Sequence, residues 1–186
     1  MTQHLPCIGG LEEHILRTVP VLTLWEPWAS LIVAGFKRHE TRHWSTKVRG
    51  RVAIHAAKRV VLDVAPELDE LCNFALGAGW RRTRPLGCVL AVANLKGCFA
   101  ADHLAEGRPP LLSAVQDCDH LAGNFDDGRF GFCLDDVRPL ICPLPLTSRQ
   151  TPLWSWRPPA DLDKRLLPAV DHFAAARRWE VRHAAA

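Results

Sequence analysis

Residues 21–57 read VLTLWEPWASLIVAGFKRHETRHWSTKVRGRVAIHAA, and the changes of period along this stretch decide the fold class. VLTLW is apolar and β-branched, the composition of a buried strand. In EPWASLIVAG, Pro27 stands near a helix start and Gly35 in the place that follows a helix end, so a short helix is expected over Pro27 to Ala34. KRHETRHW is then expected as the next strand and STKVRG as a turn. RVAIHAAK closes the stretch as a strand, with Val52 and Ile54 facing one way and His55 the other.

Outward from this stretch, the acidic pattern LDVAPELDELCNFAL predicts an amphipathic helix over Leu62 to Leu76, closed by Gly77 or Gly79. LGCVLAVANLKGCF, residues 86–99, is the longest strand-like run. Residues 102–128 are polar and rich in Gly and Pro, as in a loop with short helices. RFGFCLDDVRPL and CPLPLTSRQTPLWSW supply the last strands, their prolines expected at edges or bends. Residues 1–19 read as an arm and 158–186 as a proline-punctuated helical tail. Short strands not regularly separated by crossover helices predict a mostly β class with a few helices, arranged as a small barrel and not as a doubly wound sheet.

The 186 residues, 48% of them hydrophobic, suffice for one domain with a core. The net charge of +3 conceals an asymmetry: Lys37 to Arg59 holds eight Lys or Arg against the single acid Glu40. Such a patch points to an anionic ligand. Seven cysteines, an odd number with no CxxC pair, argue for reduced thiols in a cytoplasmic protein and against a disulfide scaffold or a zinc knuckle. MTQHLPCIGGLEEHILR lacks the basic start and apolar run of a signal peptide. The most apolar window, Val21 to Gly35, is short and contains Glu26, so no membrane span is expected. With neither metal-ligand spacing nor a Gly-rich phosphate loop, no metal and no cofactor are expected.

GFKRHETR, residues 35–42, has the form G-x-K-x-x-E-x-R, and with it the chain resembles the ASCH domain family (activating signal cointegrator homology). The resemblance begins at LTLWEPWASLIVAG and passes through ETRHW and RGRVAIHAAK. It resumes at LGCVLAVANL and returns in GRFGFCLDDVRPL and RQTPLWSW, so that residues 20–157 form the expected ASCH domain. It implies a small β-barrel similar to the PUA fold with helices at its mouth, a cleft beside the motif, and binding of RNA or of a modified nucleoside or nucleotide. Some members resemble N4-acetylcytidine amidohydrolases and others act as ribonucleases. The amidohydrolases use a lysine, a threonine three residues later and a glutamate further along. Lys37 matches the first, Glu40 stands in the threonine place, and Glu106 is the nearest counterpart of the last.

Read from the residues alone, Lys37 past a helix end can meet a phosphate or carbonyl oxygen as a point charge. Glu40 and Arg42, two apart on a strand, share a face. Glu40 has three open readings: it fixes the flanking cations, accepts a proton or hydrogen bond from a base amine, or is only a counter-ion between strand and helix. Trp28 and Trp44 are candidates to stack on a base, while Trp25 and Trp154 suit the core. His55, if the motif strand and its own pair as a hairpin, faces the same region as an acid, a base or a phosphate donor, or else satisfies a backbone carbonyl. Arg49, with Lys47, Arg51 and Lys58, is either a phosphate track or a solvated face. Arg129, Phe132 and Arg149 line the same cleft mainly on the family resemblance. A Cys-His nucleophile finds no matching signature around any cysteine.

Three functions follow. The first is a module that binds RNA or a modified nucleotide through Trp28, Lys37, Glu40, Arg42 and Trp44. The second is a hydrolase on the same cleft with Lys37 and Glu40 as its catalytic pair, acting on an acylated cytidine or as a metal-independent ribonuclease. The third is a protein-interaction domain that uses RPLICPLPL and the tail.

Overall fold

A computed structural model describes residues 18–101, 118–146 and 153–184. The chain enters on β1 (Val19–Leu24) and continues through α1 (Trp28–Val33), β2 (His39–Arg42) and β3 (Gly50–Ala56). Then come α2 (Pro66–Leu76), α3 (Trp80–Thr83), β4 (Cys88–Ala100) and β5 (Phe130–Pro145). β6 (Leu153–Trp156), a 3-10 turn at Leu162–Arg165 and α4 (His172–Ala184) complete it. The six strands form one sheet in the order β2-β5-β4-β3-β1-β6, with β1 and β3 parallel and all other neighbours antiparallel.

The mostly β class with a few helices is therefore observed. Among the described residues no ladder joins β2 to β6, so the sheet keeps two edges and is not closed into a barrel. It is nevertheless strongly curled: Arg42 at the β2 edge donates from Nη2 to the Thr23 carbonyl of β1, 2.6 Å away, although three strands separate β2 from β1 in the sheet. The expected hairpin of β2 with β3 does not form. β5 and β4 lie between them, because β3 takes β1 as its parallel neighbour, and β2 is left to extend the far edge.

Local signals explain the element ends. α1 starts after Pro27 and stops at Ala34, and Gly35, at φ +86°, supplies the left-handed residue that turns the chain toward β2. α2 begins four residues later than its apolar pattern, at Pro66. The proline ring holds Ala65 extended at ψ 147°, so residues 62–65 cannot join the helix. The longest strand is β5, at 16 residues, and not the 86–99 run. Its Pro139, Pro143 and Pro145 lie beyond the part paired with β2, where a missing N–H deprives no ladder on that side.

α1 is wedged between two cores. Ala29 and Ile32 pack with Leu22, Ile54, Leu95, Phe132 and Leu134 against the sheet. Leu31 and Phe36 pack with Leu71, Trp80, Ala175 and Trp179 of the helical layer. Each fully buried Leu or Ile contributes about 1.5–3 kcal/mol by leaving water, so α1, only six residues long, is held by packing on both sides. The C-terminal residues belong to this layer: His172 donates from Nδ1 to the Gly35 carbonyl at 2.9 Å and Trp179 is buried in the same cluster. No helix among the described residues is long and apolar enough to cross a membrane.

Candidate functional site

The curl of the sheet leaves a cavity of about 380 Å³ where the end of β1, α1 and β2 converge. Thr23, Leu24 and Trp25 form one wall and Trp28 the next. Glu40, Thr41 and Arg42 face them, Leu68 of α2 stands at one side, and residues 121–124 with Arg129 complete the lining.

Glu40 sits between two cations. Its Oε1 lies 3.0 Å from Arg42 Nε and its Oε2 3.6 Å from Lys37 Nζ. The Arg42 contact is an ion pair without hydrogen-bond alignment, since Arg42 Nε is buried with no acceptor in line. Lys37 is 1% exposed. Its ammonium donates to the Ala122 carbonyl at 2.8 Å, and this bond with the Glu40 charge makes its burial tolerable. Behind the wall, Arg129 donates from Nη2 to the Thr41 carbonyl (3.3 Å) and from Nε to the Asn124 carbonyl (3.1 Å). The Asn124 amide donates to Thr41 Oγ1 at 3.1 Å. Strand β2 and the 121–124 segment are thereby laced together.

At the foot of α1, Glu26 is fully buried, accepting from the Ser30 hydroxyl at 3.0 Å and the Ser30 amide at 3.3 Å. Burial pushes its carboxyl up to about 7, against the opposing pull of the Ser30 bonds and the Arg84 charge.

Of the residues singled out from sequence, Trp28, Glu40, Arg42 and Arg129 meet at the cavity. Lys37 stands behind Glu40, outside the lining. Trp44 packs edge-on against Phe132, with centroids 5.0 Å apart, and Phe132 is wholly buried in the sheet core. His55 is also buried, its Nε2 3.1 Å from the Leu146 carbonyl and its Nδ1 3.3 Å from Thr23 Oγ1; burial holds its pKa below the ordinary histidine value. Arg49 turns its guanidinium back onto the Thr46 and Val48 carbonyls of its own loop. Arg51 pairs with Asp163. Arg149 and Glu106 lie outside the described residues. Trp25, assigned to the core from sequence, is instead 44% exposed at the cavity, with the Arg59 guanidinium 4.3 Å above its ring. It falls just past the last residue of β1, where a side chain is released from the alternation that buries Leu22 and Leu24. The contribution of residues 121–124 had no sequence signal beyond loop composition. Among the described residues no three His, Cys, Asp or Glu side chains gather as metal ligands.

The family model of the ASCH domain matches residues 22–118. The chain belongs to the ASCH domain family. Activating signal cointegrator 1 from Homo sapiens is 34% identical over 93 residues, and the Mus musculus protein of the same name gives the same figure. The match takes in 48% of this chain and 16% of each of those proteins, so the ASCH chain spans about one-sixth of the length of these relatives. Among solved structures, that of ASCH from Zymomonas mobilis is similar with a TM-score of 0.42 and 17% identity, over 80% of this chain and 93% of that one. A mutant of the same protein gives a TM-score of 0.40 and 17% identity over 86% and 96%.

Proposed function

We propose that this ASCH domain binds a single nucleobase unit, as a modified nucleoside or nucleotide or as one residue of an RNA, in the cavity between α1 and β2. The observation that carries the reading is the pairing, in one cavity, of two indoles with a carboxylate held between cations. Trp25 and Trp28 offer flat apolar faces for stacking, worth about 1–3 kcal/mol for a base. Glu40 offers an acceptor for the exocyclic amine of cytosine or adenine, and Arg42 and Arg129 offer positive charge to a phosphate. The volume of about 380 Å³ lies in the small-ligand range of about 300 to 1,000 Å³. A long phosphate track has less support, because Arg49 and Arg51 lie outside the cavity lining that holds Arg42 and Arg129.

Hydrolysis in the same cavity is the second reading. What favours it is the Glu40 carboxylate in the wall with the buried Lys37 ammonium behind it, a pair able to orient a water. Lys37, however, is separated from the cavity by the Ala122 carbonyl and Glu40, which suits a brace for the carboxylate better than a nucleophile.

A screen of modified nucleosides, nucleotides and short RNAs for thermal stabilisation, with product analysis in the same wells, tests both readings. Binding without turnover is expected. In Glu40→Gln, affinity for each responsive ligand should fall at least about tenfold, equal to about 1.4 kcal/mol, in addition to a lower melting temperature, because the change leaves the buried Lys37 ammonium without its counter-charge. Unchanged binding with a lowered melting temperature would reduce Glu40 to a brace, and no response from any nucleoside or RNA would remove the nucleobase reading.

A further inference from the structure

Outside the lining of the cavity, at the start of β2, three side chains distant in sequence come together. Asp119, just beyond the 102–117 segment, is buried with its side chain 3% exposed. Its Oδ1 accepts the backbone N–H groups of Arg38 (2.7 Å) and His39 (3.0 Å), and its Oδ2 lies 2.8 Å from His39 Nδ1. The imidazole is thus fixed in position and in tautomer, with Nδ1–H donating to the carboxylate. His39 and Cys133 are direct partners in the β2–β5 ladder, so their side chains leave the same face of the sheet side by side, and with Nδ1 committed to Asp119 the ring nitrogen left free is Nε2.

We propose that Cys133, His39 and Asp119 form an activated-thiol site whose substrate is a small hydroperoxide. The arrangement is that of a nucleophile, a base and a group that orients the base. Burial disfavours charge on both partners, yet the contacts prevail: Asp119 and Cys133 push His39 up to about 9, and the His39 and Arg38 charges hold the Cys133 thiol below its ordinary range. Cys133 is only half-buried, unlike the buried Cys72 and Cys118. A small hydroperoxide is the substrate class that needs only the thiolate and a proton donor beside it, which is what Cys133 and His39 supply.

In the step, the Cys133 thiolate gives an electron pair to the nearer peroxide oxygen and an S–O bond forms as the O–O bond breaks. The farther oxygen leaves with the bonding pair and takes the proton from His39 Nε2, departing as water or an alcohol. Sulfur is oxidised by two electrons to a sulfenic acid and the peroxide is reduced by two. On β4, Gly97 lies opposite Cys133, and Cys98, opposite Phe132, packs with it on the core face. The sulfenic acid therefore meets no thiol across that ladder and persists long enough to be trapped.

The test exposes the full chain to micromolar hydrogen peroxide with a 1,3-dione that captures sulfenic acids, and reads each cysteine peptide by mass spectrometry from pH 5.5 to 9. Exposed Cys142 is the control within the same molecule. At pH 6.5 Cys133 should be labelled at least tenfold faster than Cys142, and His39→Gln should remove at least tenfold of that advantage. Equal labelling of the two cysteines, or full speed in a folded His39→Gln variant, overturns the proposal. Should that variant not fold, the wild-type pH profile decides. An ordinary thiol loses about tenfold in thiolate per pH unit below 8.5; a Cys133 rate that falls in that way down to pH 6 overturns the proposal, and a flat one upholds it.

Discussion

Asp119 is the residue whose removal tests the structure most severely. Its carboxylate makes three charge-assisted contacts, with the Arg38 and His39 amides and with the His39 ring. Hydrogen bonds to a charged group are each worth about 1.5–3 kcal/mol. They do not simply add, because His39 can shed its proton once the carboxylate is gone. Breaking a buried pair by deleting one member costs about 3–5 kcal/mol, and that is the expected loss for Asp119→Ala, a large part of the 5–15 kcal/mol or so that holds a typical domain together. Asp119→Asn keeps an oxygen for the two amides and surrenders only the ionic contact, so about 1–3 kcal/mol is expected. Urea unfolding at 25 °C reads both as shifts in midpoint at constant slope.

The pH dependence of that cost follows from the His39 proton. Its pKa is raised in the folded protein, from 6.5 to about 9, so the stability it contributes is fully present below 6.5 and is lost as pH rises through about 9. At about 1.4 kcal/mol per pH unit across that span, the whole effect is about 3 kcal/mol. The charges that set it are Asp119 and, across the ladder, Cys133; Lys37 acts on Asp119 and Arg38 on Cys133. The cost of Asp119→Asn should therefore be greatest near pH 6 and shrink above about 9. An Asp119→Ala variant that loses less than about 1 kcal/mol, or an Asn cost flat from pH 6 to 10, would refute the reasoning.

Glu26 predicts a second pH dependence. Its folded pKa is raised from 4.5 to about 7, so the folded state retains a proton that the unfolded chain has lost; stability should fall as pH rises through that window, by up to about 3 kcal/mol, and Glu26→Gln should flatten the urea profile there. Gly35→Ala puts a Cβ at φ +86° and 3.3 Å from Ala175 Cβ, costing about 1–2 kcal/mol and a melting temperature several degrees lower by calorimetry. Trp28→Ala should weaken any nucleoside that stabilises the wild type by about 1–3 kcal/mol in titration calorimetry, whereas Trp44→Ala, removing a ring that packs on Phe132, should lower the melting temperature and leave affinity nearly unchanged.

What could be read from sequence and what could not divide along the length scale of the cause. Pro27, Gly35 and the alternation through Val52 and Ile54 act within a few residues, so α1, its stop and the strands on either side were legible. So was the shared face of Glu40 and Arg42, since a strand's period of two guarantees it. Strand order was not legible: β2 reaches its neighbour across 90 residues of chain, and no local pattern says whether it joins β3 or β5. The surroundings of Lys37 and His39 were hidden for the same reason. A lysine after a helix end reads as an exposed point charge, and only the Ala122 carbonyl, brought over from a segment of loop composition, turns it inward. Likewise Asp119, His39 and Cys133 carry no motif spacing, because the ladder and the 118–124 turn, not the sequence interval, assemble them. The lone acid of the basic stretch acquires its meaning at this longer range. Lys37, His39 and Arg42 all lie in or beside the one strand that the curl presses against β1 and the 119–124 segment, where uncompensated cations could not be buried. Glu40 compensates two of them from within the stretch, and Asp119 compensates the third from 80 residues away.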